Sequence, residues 1–413
     1  MRAGLYIHIP FCSFLCHYCD FAKTANFDAM LVQDYFVALE RQLRWLAAHI
    51  EAATGRQLTF PSVYLGGGTP GIFTDEYRGL FRFISQRMES GTEVTIECNP
   101  ANVNRSALEV WRSLGINRLS IGVQSLQARG LKVLTRDHDA STALGALELA
   151  MRVIPNVNMD LIYGWPGQTP EEWLADLSGL VRSGVPHASL YTLTFEERTP
   201  FGRMARRGRI FPERDDALAQ DYSVARETLG AAGFEHDEVS NWARPGFTCH
   251  HNWLYWDFKP FLAVGAGAHG FMPSRFPGLV SAQERDGADV DAFDIGVRWA
   301  FPRDVRSYLR HLPAQPPESG DFHSLLNALG AEVDAARDHE SALIEYVGGS
   351  LRTRHGVDLN LAESIAGRRF TPRPAIEQAI RMNLAWRDGP RLRFSAAEWF
   401  RENSWASEVL MGF

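Results

Sequence analysis

The first 195 residues repeat one unit: a short apolar or β-branched run, a loop rich in Gly, Pro or Asn, then an amphipathic helical stretch. Strict β-α alternation leaves little choice of architecture, because strands joined by helical crossovers pair in parallel and have helices on their faces. Runs at 4–9, 62–65, 93–97, 118–123, 156–162 and 188–193 predict strands. Helix-period stretches between them include 28–49, 75–87, 105–113, 140–151 and 170–182. The expected fold class is α/β, a barrel or partial barrel of about six units. No segment repeats at a fixed period. Unusual residues stand at or just past the strand ends: three cysteines after the first, Gly66-Gly67-Gly68-Thr69-Pro70 after the second, Glu97 ending the third, Gln124 after the fourth, and Asp160 within the fifth. In a parallel α/β barrel all these ends open on one face, where sites are built.

Cys12, Cys16 and Cys19 lie in YIHIPFCSFLCHYCDF, close enough to converge on one inorganic centre. Gaps of three and then two residues differ from paired zinc hooks, and no second cysteine pair closes a four-sulfur site. The count favours an iron-sulfur cluster with one iron open. A zinc site closed by His17 or a remote His, and three unliganded thiols, remain as alternatives. Thiolates that must stay reduced point to a reducing compartment. Arg2 and the short apolar run after it do not make a signal peptide, and no apolar run of about 18 residues follows. The expectation is a soluble cytoplasmic protein, with peripheral membrane contact left open. A net charge of -7 and a pI near 6.0 give no field that recruits nucleic acid.

Past residue 195 the alternation weakens. An arginine-rich loop (Arg198, Arg203, Arg206, Arg207, Arg209) reads first as a solvated charge run and second as an acid-binding loop. A helix is expected at 213–232 and a strand at 234–241, followed by the aromatic and glycine-rich CHHNWLYWDFKPFLAVGAGAHGFMP at 249–273. PAQPPESG at 313–320 reads as a linker, with helical patterns over 331–377, a short β-wing at 384–394 and a helical terminus beyond. These shifts divide the chain into a core at 1–240, an extension at 241–312, and a linker with a small helical domain at 313–413.

An open iron can chelate a small molecule and pass it an electron. An amino-acid-like ligand also needs its ammonium and carboxylate held. Gly66 to Thr69 offers unobstructed backbone groups, Glu97 a negative charge, and Arg136 a fork for a carboxylate. Asp160 and Gln124 suit ribose hydroxyls. Singly these are weak signals, and their common placement on the cysteine side of the sheet gives them weight.

CSFLCHYC, with its surroundings YIHIPFC, CHYCDF, GGGTP, IECNP, GVQS and MDLIYGWPGQT, resembles the coproporphyrinogen dehydrogenase-like branch of the radical SAM proteins. The resemblance runs to about residue 312 and returns near the end. It implies a radical SAM partial (β/α)6 TIM-like barrel with a small, mainly helical, winged-helix-like C-terminal domain. It also implies a 4Fe-4S cluster on Cys12, Cys16 and Cys19, with S-adenosylmethionine on the fourth iron. Its cofactor-contacting positions fall on Tyr6, Gly67, Gly68, Thr69, Glu97, Gln124, Arg136 and Asp160, and Phe21 lies near enough to pack beside adenine or cluster.

Two functions compete within that branch. Oxygen-independent coproporphyrinogen III dehydrogenases carry a further cysteine two positions after the third and a long segment before the first strand. Here that position is Phe21 and the strand comes almost at once. Both departures resemble the haem chaperone HemW family, as does His251-Asn252-Trp253-Leu254-Tyr255-Trp256, which fits its H-N-x-x-Y-W motif. An imidazole can ligate haem iron, and Trp and Tyr offer flat apolar faces, so His251, Asn252, Tyr255 and Trp256 form the haem candidate. Cys249 and His250 are alternative ligands, and His269 is a structural or supporting residue. The resemblance thus implies haem delivery to recipient proteins, respiratory ones among them, ahead of radical decarboxylation of a porphyrinogen. Whether any substrate is turned over stays open.

Overall fold

In this computed structural model, residues 1–273, 296–317, 320–334 and 339–413 are described. Among them β1 (Gly4–Ile9), β2 (Phe60–Gly67), β3 (Met88–Cys98), β4 (Arg118–Gln124), β5 (Asn156–Tyr163) and β6 (His187–Thr192) pair in parallel in sequence order. The crossovers are α1 (Ala29–Thr54), α2 (Tyr77–Ile84), α3 (Arg105–Ser113), α4 (Ala128–Val133) with α5 (Ala140–Val153), and α6 (Pro170–Ser183). The helices start where the sequence supplies caps: Asp28, Asn104, Asp139 and Thr169 each accept a backbone N–H of the first turn. Gly55 and Gly184 end α1 and α6 in the left-handed region, which costs glycine nothing.

Register gives the sheet two faces. Leu5, Ile7, Val63, Leu65, Val94, Ile96, Leu119, Ile121, Val157, Met159 and Leu161 are buried against the helices and make the core. Because side chains alternate along a strand, Tyr6, Tyr64, Thr95, Glu97, Ser120, Asn158, Asp160 and Ser189 take the other parity, and the pairs Tyr6↔Tyr64, Tyr64↔Thr95, Glu97↔Ser120 and Ser120↔Asn158 carry it across the sheet.

Among the described residues the sheet does not close on itself. Past β6, α7 (Pro200–Arg206) and α8 (Asp215–Ala231) lead to the hairpin β7 (Glu235–Glu238) and β8 (Asn241–Ala243), which extends the β6 edge antiparallel. The strand expected at 234–241 is therefore split by a turn at Val239 and Ser240. The 198–209 segment expected to be a loop is mostly helical, because Thr199 caps α7 over Pro200–Arg206, and its five arginines are all exposed, as a solvated charge run would be. After α9 (His250–Trp256), β9 (Phe261–Val264) pairs parallel with β1, and β10 (His269–Met272), β11 (Val297–Ala300) and, after α10 (Val305–His311) and α11 (Phe322–Ala328), β12 (Glu332–Asp334) continue that edge antiparallel.

Residues 313–317 and 320 of the expected linker are irregular, and 318–319 lie outside the described residues, as do 274–295 and 335–338. The helical pattern read over 331–377 is interrupted: β12 belongs to the main sheet, and α12 (His339–Leu351), β13 (Val357–Asp358), α13 (Leu359–Ala366) and α14 (Pro374–Arg381) follow. A helical period in the side chains cannot show that Glu332 to Asp334 find an edge strand to pair with. The β-wing forms from β14 (Ala385–Asp388) and β15 (Arg391–Phe394), with β13 as its third strand, and α15 (Glu402–Leu410) closes the chain.

Candidate functional site

The inner sheet face, the cysteine loop, α9, β9, β10 and α12 surround one cavity of about 1190 Å³. Tyr6, Cys12, Cys16, Cys19, Phe21, Gly67, Gly68, Thr69, Glu97, Gln124, Arg136, Asp160, Asn252, Tyr255 and Trp256 all line it; His251 does not.

The cysteine loop is tied at its neck and flanks. Cys12 N–H donates to Thr24 O at 2.9 Å and Thr24 N–H to Pro10 O at 2.7 Å. His8 joins the far side to β1, with Nε2 2.7 Å from Ala22 O and Nδ1 3.1 Å from the Tyr6 hydroxyl. Burial lowers this imidazole to about 4, so it stays neutral. The thiols are not in disulfides. Burial pushes Cys12 up to about 11, against the Thr69 hydroxyl 3.6 Å from its sulfur, while Arg136 Nη1 donates to Cys16 Sγ at 3.4 Å. The three thiols share a wall without forming a compact ligand set; among the described residues no group of three or more His, Cys, Asp or Glu stands close enough to hold an ion.

The glycines after β2 are required by space. A Cβ on Gly68 would lie 2.7 Å from Phe11 O, and Gly67, at φ +115, would set one 2.5 Å from the His8 ring. Gly68 and Thr69 donate their N–H groups to Ile9 and Phe11 carbonyls at 2.8 Å each, sewing this turn to the start of the cysteine loop. Glu97 accepts from Gly67 N–H at 3.0 Å and from the Tyr64 hydroxyl at 2.9 Å. Burial first, then the charge of Asp160, holds its carboxyl up at about 7, and burial raises Asp160 to about 6. A cationic ligand group would reverse both shifts.

Gln124 ends β4 at φ +70, uncommon for a side-chain-bearing residue, beside a bulge, and its Oε1 is buried without a partner. Arg136 differs from the expected open fork: Nη2 already donates to Asn99 Oδ1 at 2.6 Å and Gly122 O at 2.8 Å, leaving Nε as the buried donor without a partner. Asp160 takes Asn158 Nδ2–H at 2.7 Å and the Ser120 hydroxyl at 3.2 Å. Phe21 is 62% exposed and lines the cavity instead of joining the core.

The aromatic end rests on α9. Its first turn is capped from across the sheet: Glu93, on β3, accepts His250 N–H at 3.1 Å and His251 N–H at 3.0 Å. The His251 ring is wholly buried, with Nδ1 2.9 Å from Ser62 Oγ and Nε2 3.0 Å from the Tyr255 hydroxyl. Burial lowers it to about 3. It therefore braces Tyr255 and does not reach the cavity. Rings then succeed one another: Tyr6 on Tyr64, Tyr64 on His251, Tyr255 on Phe261 and Phe261 on Phe271, at 4.7 to 6.3 Å between centroids. Trp256 Nε1 is a buried donor without a partner, and the Arg352 guanidinium sits 6.0 Å from its ring.

Several contributors were not singled out from the sequence: His8, Tyr64, Ser120, Asn158 and Glu93, Glu345 and Gly349 of α12, and Arg352 just past its end. Period-2 parity would have exposed Tyr64, Ser120 and Asn158. The C-terminal unit is locked to the core near this wall, with Val239 N–H donating to Arg352 O at 2.9 Å and Trp253 4.3 Å from the His355 ring. No described helix is long and apolar enough to cross a membrane.

Residues 6–178 match the Radical SAM superfamily. The chain is 36% identical to the heme chaperone HemW of Mycobacterium tuberculosis over 275 residues, 65% of this chain and 69% of that one. It is 38% identical to the heme chaperone HemW of Haemophilus influenzae over 271 residues, covering 65% and 70%. Among solved structures it is similar in fold to coproporphyrinogen III oxidase (HemN) from Escherichia coli, with a TM-score of 0.71 at 18% identity over 99% of this chain and 90% of that one.

Proposed function

The chain belongs to the haem chaperone HemW family of the Radical SAM superfamily, and from that premise we propose that it binds haem and delivers it to recipient proteins. One observation carries the reading: the aromatic wall of α9, β9 and β10 and the cysteine loop face a single cavity of about 1190 Å³. Flat rings beside the unpartnered Trp256 N–H, and beside an Arg352 guanidinium that also pairs with Glu402, suit a planar apolar cargo with acidic arms.

The superfamily implies a 4Fe-4S cluster and S-adenosylmethionine, and the donor chemistry suits both: three thiols on one cavity wall, which would have to draw together around a cluster, beside buried polar atoms without a partner among the described residues. Cys12, Cys16 and Cys19 would hold the cluster, whose supply when bound is one-electron chemistry at an open iron. Gly67, Gly68 and Thr69 would cradle the cofactor backbone, Glu97 its ammonium and Arg136 Nε its carboxylate. Gln124 and Asp160 would take the ribose, and Tyr6 and Phe21 the flanks. The unpartnered Gln124 Oε1 and Arg136 Nε and the raised Glu97 carboxyl support this, being groups that a polar ligand would satisfy. Asn252, Tyr255 and Trp256, which line the cavity, would face the haem, and His251 holds Tyr255. The undisulfided thiols agree with delivery in the cytoplasm, with respiratory haemoproteins among the recipients and peripheral contact as the route to them.

Phe21, where a dehydrogenase of the same branch has cysteine, argues against radical decarboxylation as the main activity. The test is anaerobic reconstitution with iron and sulfide, haem titration, and mixing with an apo-haemoprotein. Haem retained and passed on, with coproporphyrinogen unchanged, is the expected result. Turnover of coproporphyrinogen by protein that holds no haem would overturn it.

A further inference from the structure

The haem-binding reading leaves the iron's protein ligand to be found. His8 and His251 have both ring nitrogens engaged inside the protein. His250 is exposed, but it is not part of the cavity lining. His269, the first residue of β10, pairs in register with Ala300 through its backbone, while its side chain is exposed, lines the cavity, and makes no hydrogen bond or ion pair with the described residues.

Its setting is built. Parity places His269 and Phe271 on one face, about 7 Å apart along the strand. Phe271 pairs in register with Phe261 on one side and Arg298 on the other, and the Arg298 guanidinium, itself ion-paired with Glu345, lies 4.6 Å over the Phe271 ring. The intervening Gly270 is seated on Trp299, where a Cβ would come within 2.1 Å of the indole. Phe301 N–H donates to Ala268 O at 3.0 Å, fixing the backbone just before. An imidazole, two aromatic faces and a cation thus lie on one pinned stretch of sheet, the combination that iron, macrocycle and propionate of a haem require.

We propose that His269, and not His251, is the axial ligand to the bound haem iron. The assignment rests on haem being the cargo, as argued above. A neutral imidazole supplies the lone pair to iron, and no proton or electron transfer is needed.

The test titrates anaerobic, reconstituted protein with ferric haem and follows absorption and electron paramagnetic resonance. His269→Ala should lose the imidazole-ligated signature, bind haem at least about tenfold more weakly, and recover the signature with added imidazole. His251→Gln should bind more weakly, because Tyr255 loses its brace, yet keep the signature. His269→Ala with an unchanged signature overturns the assignment while leaving haem carriage intact. Native protein that takes up no haem overturns both. His269 is exposed, so its replacement opens no core cavity, and that variant decides even where His251→Gln fails to fold.

Discussion

At the cysteine end of the cavity the walls are strand ends whose polar groups are held off balance, whereas at the aromatic end the His251 ring and the first turn of the key helix are matched within the protein, with Trp256 Nε1 its one buried ring nitrogen left without a partner among the described residues. Gln124 Oε1 and Arg136 Nε have no partner and Glu97 is pushed up to about 7, but His251 is satisfied at both nitrogens and the first turn of α9 at Glu93. Unpaired buried polar groups cost stability unless a ligand completes them, while satisfied rings form a surface that accepts a flat apolar partner with little rearrangement. On the proposed reading, one end would take a small polar cofactor and the other a tetrapyrrole. The two should be separable by mutation.

The largest expected effect is at Cys16. Cys16→Ala should abolish iron and sulfide retention after anaerobic reconstitution yet leave haem affinity within about twofold, a ΔΔG under about 0.5 kcal/mol. Loss of both would erase the division. Next is Glu97→Gln, which removes a charged acceptor worth about 1.5–3 kcal/mol, so calorimetry should show S-adenosylmethionine binding weakened at least about tenfold. The raised carboxyl also sets a sign. A folded acid with a pKa of about 7 binds protons that the unfolded chain, near its ordinary 4.5, has released, so this group's contribution to stability falls as pH rises between those values. Binding of an ammonium needs the carboxylate, so affinity should fall as pH drops below 7. Thermal melts and titrations across that window should show both trends, and Glu97→Gln should flatten its share of each.

A smaller effect is expected at the other end. Glu93→Ala removes the cap of α9, at a cost of about 1 kcal/mol. Hydrogen exchange should quicken in α9 and haem affinity should decline, with cluster loading unaffected. Replacing Arg206 and Arg207 by Ser should shift stability by no more than about 0.5 kcal/mol, since both are solvated.

The cysteine end was largely legible in the sequence, because Cys12, Gly67, Glu97, Gln124 and Asp160 each interrupt an apolar strand or stand at its end. Ser120 and Asn158 were concealed within strands read as apolar runs, although alternation marks them. Arg136 lines the cavity as the sequence led one to expect, but Asn99 and Gly122 already occupy its fork. At the aromatic end the motif at 251–256 was visible while its geometry was not. Glu93 caps a helix 157 residues away, and Arg352 reaches the cavity from the C-terminal unit. Such long-range contacts leave no local pattern. His251 shows the consequence: a residue type apt for iron is, in the folded chain, a brace for Tyr255.

On the proposed reading, haem and the cluster share one cavity. Reduced, reconstituted protein loaded with one equivalent of ferric haem tests it through the relaxation of the cluster's electron paramagnetic resonance signal. Shared occupancy predicts clearly faster relaxation on haem binding, lost when haem is removed. Haem bound with cluster relaxation unchanged would contradict it.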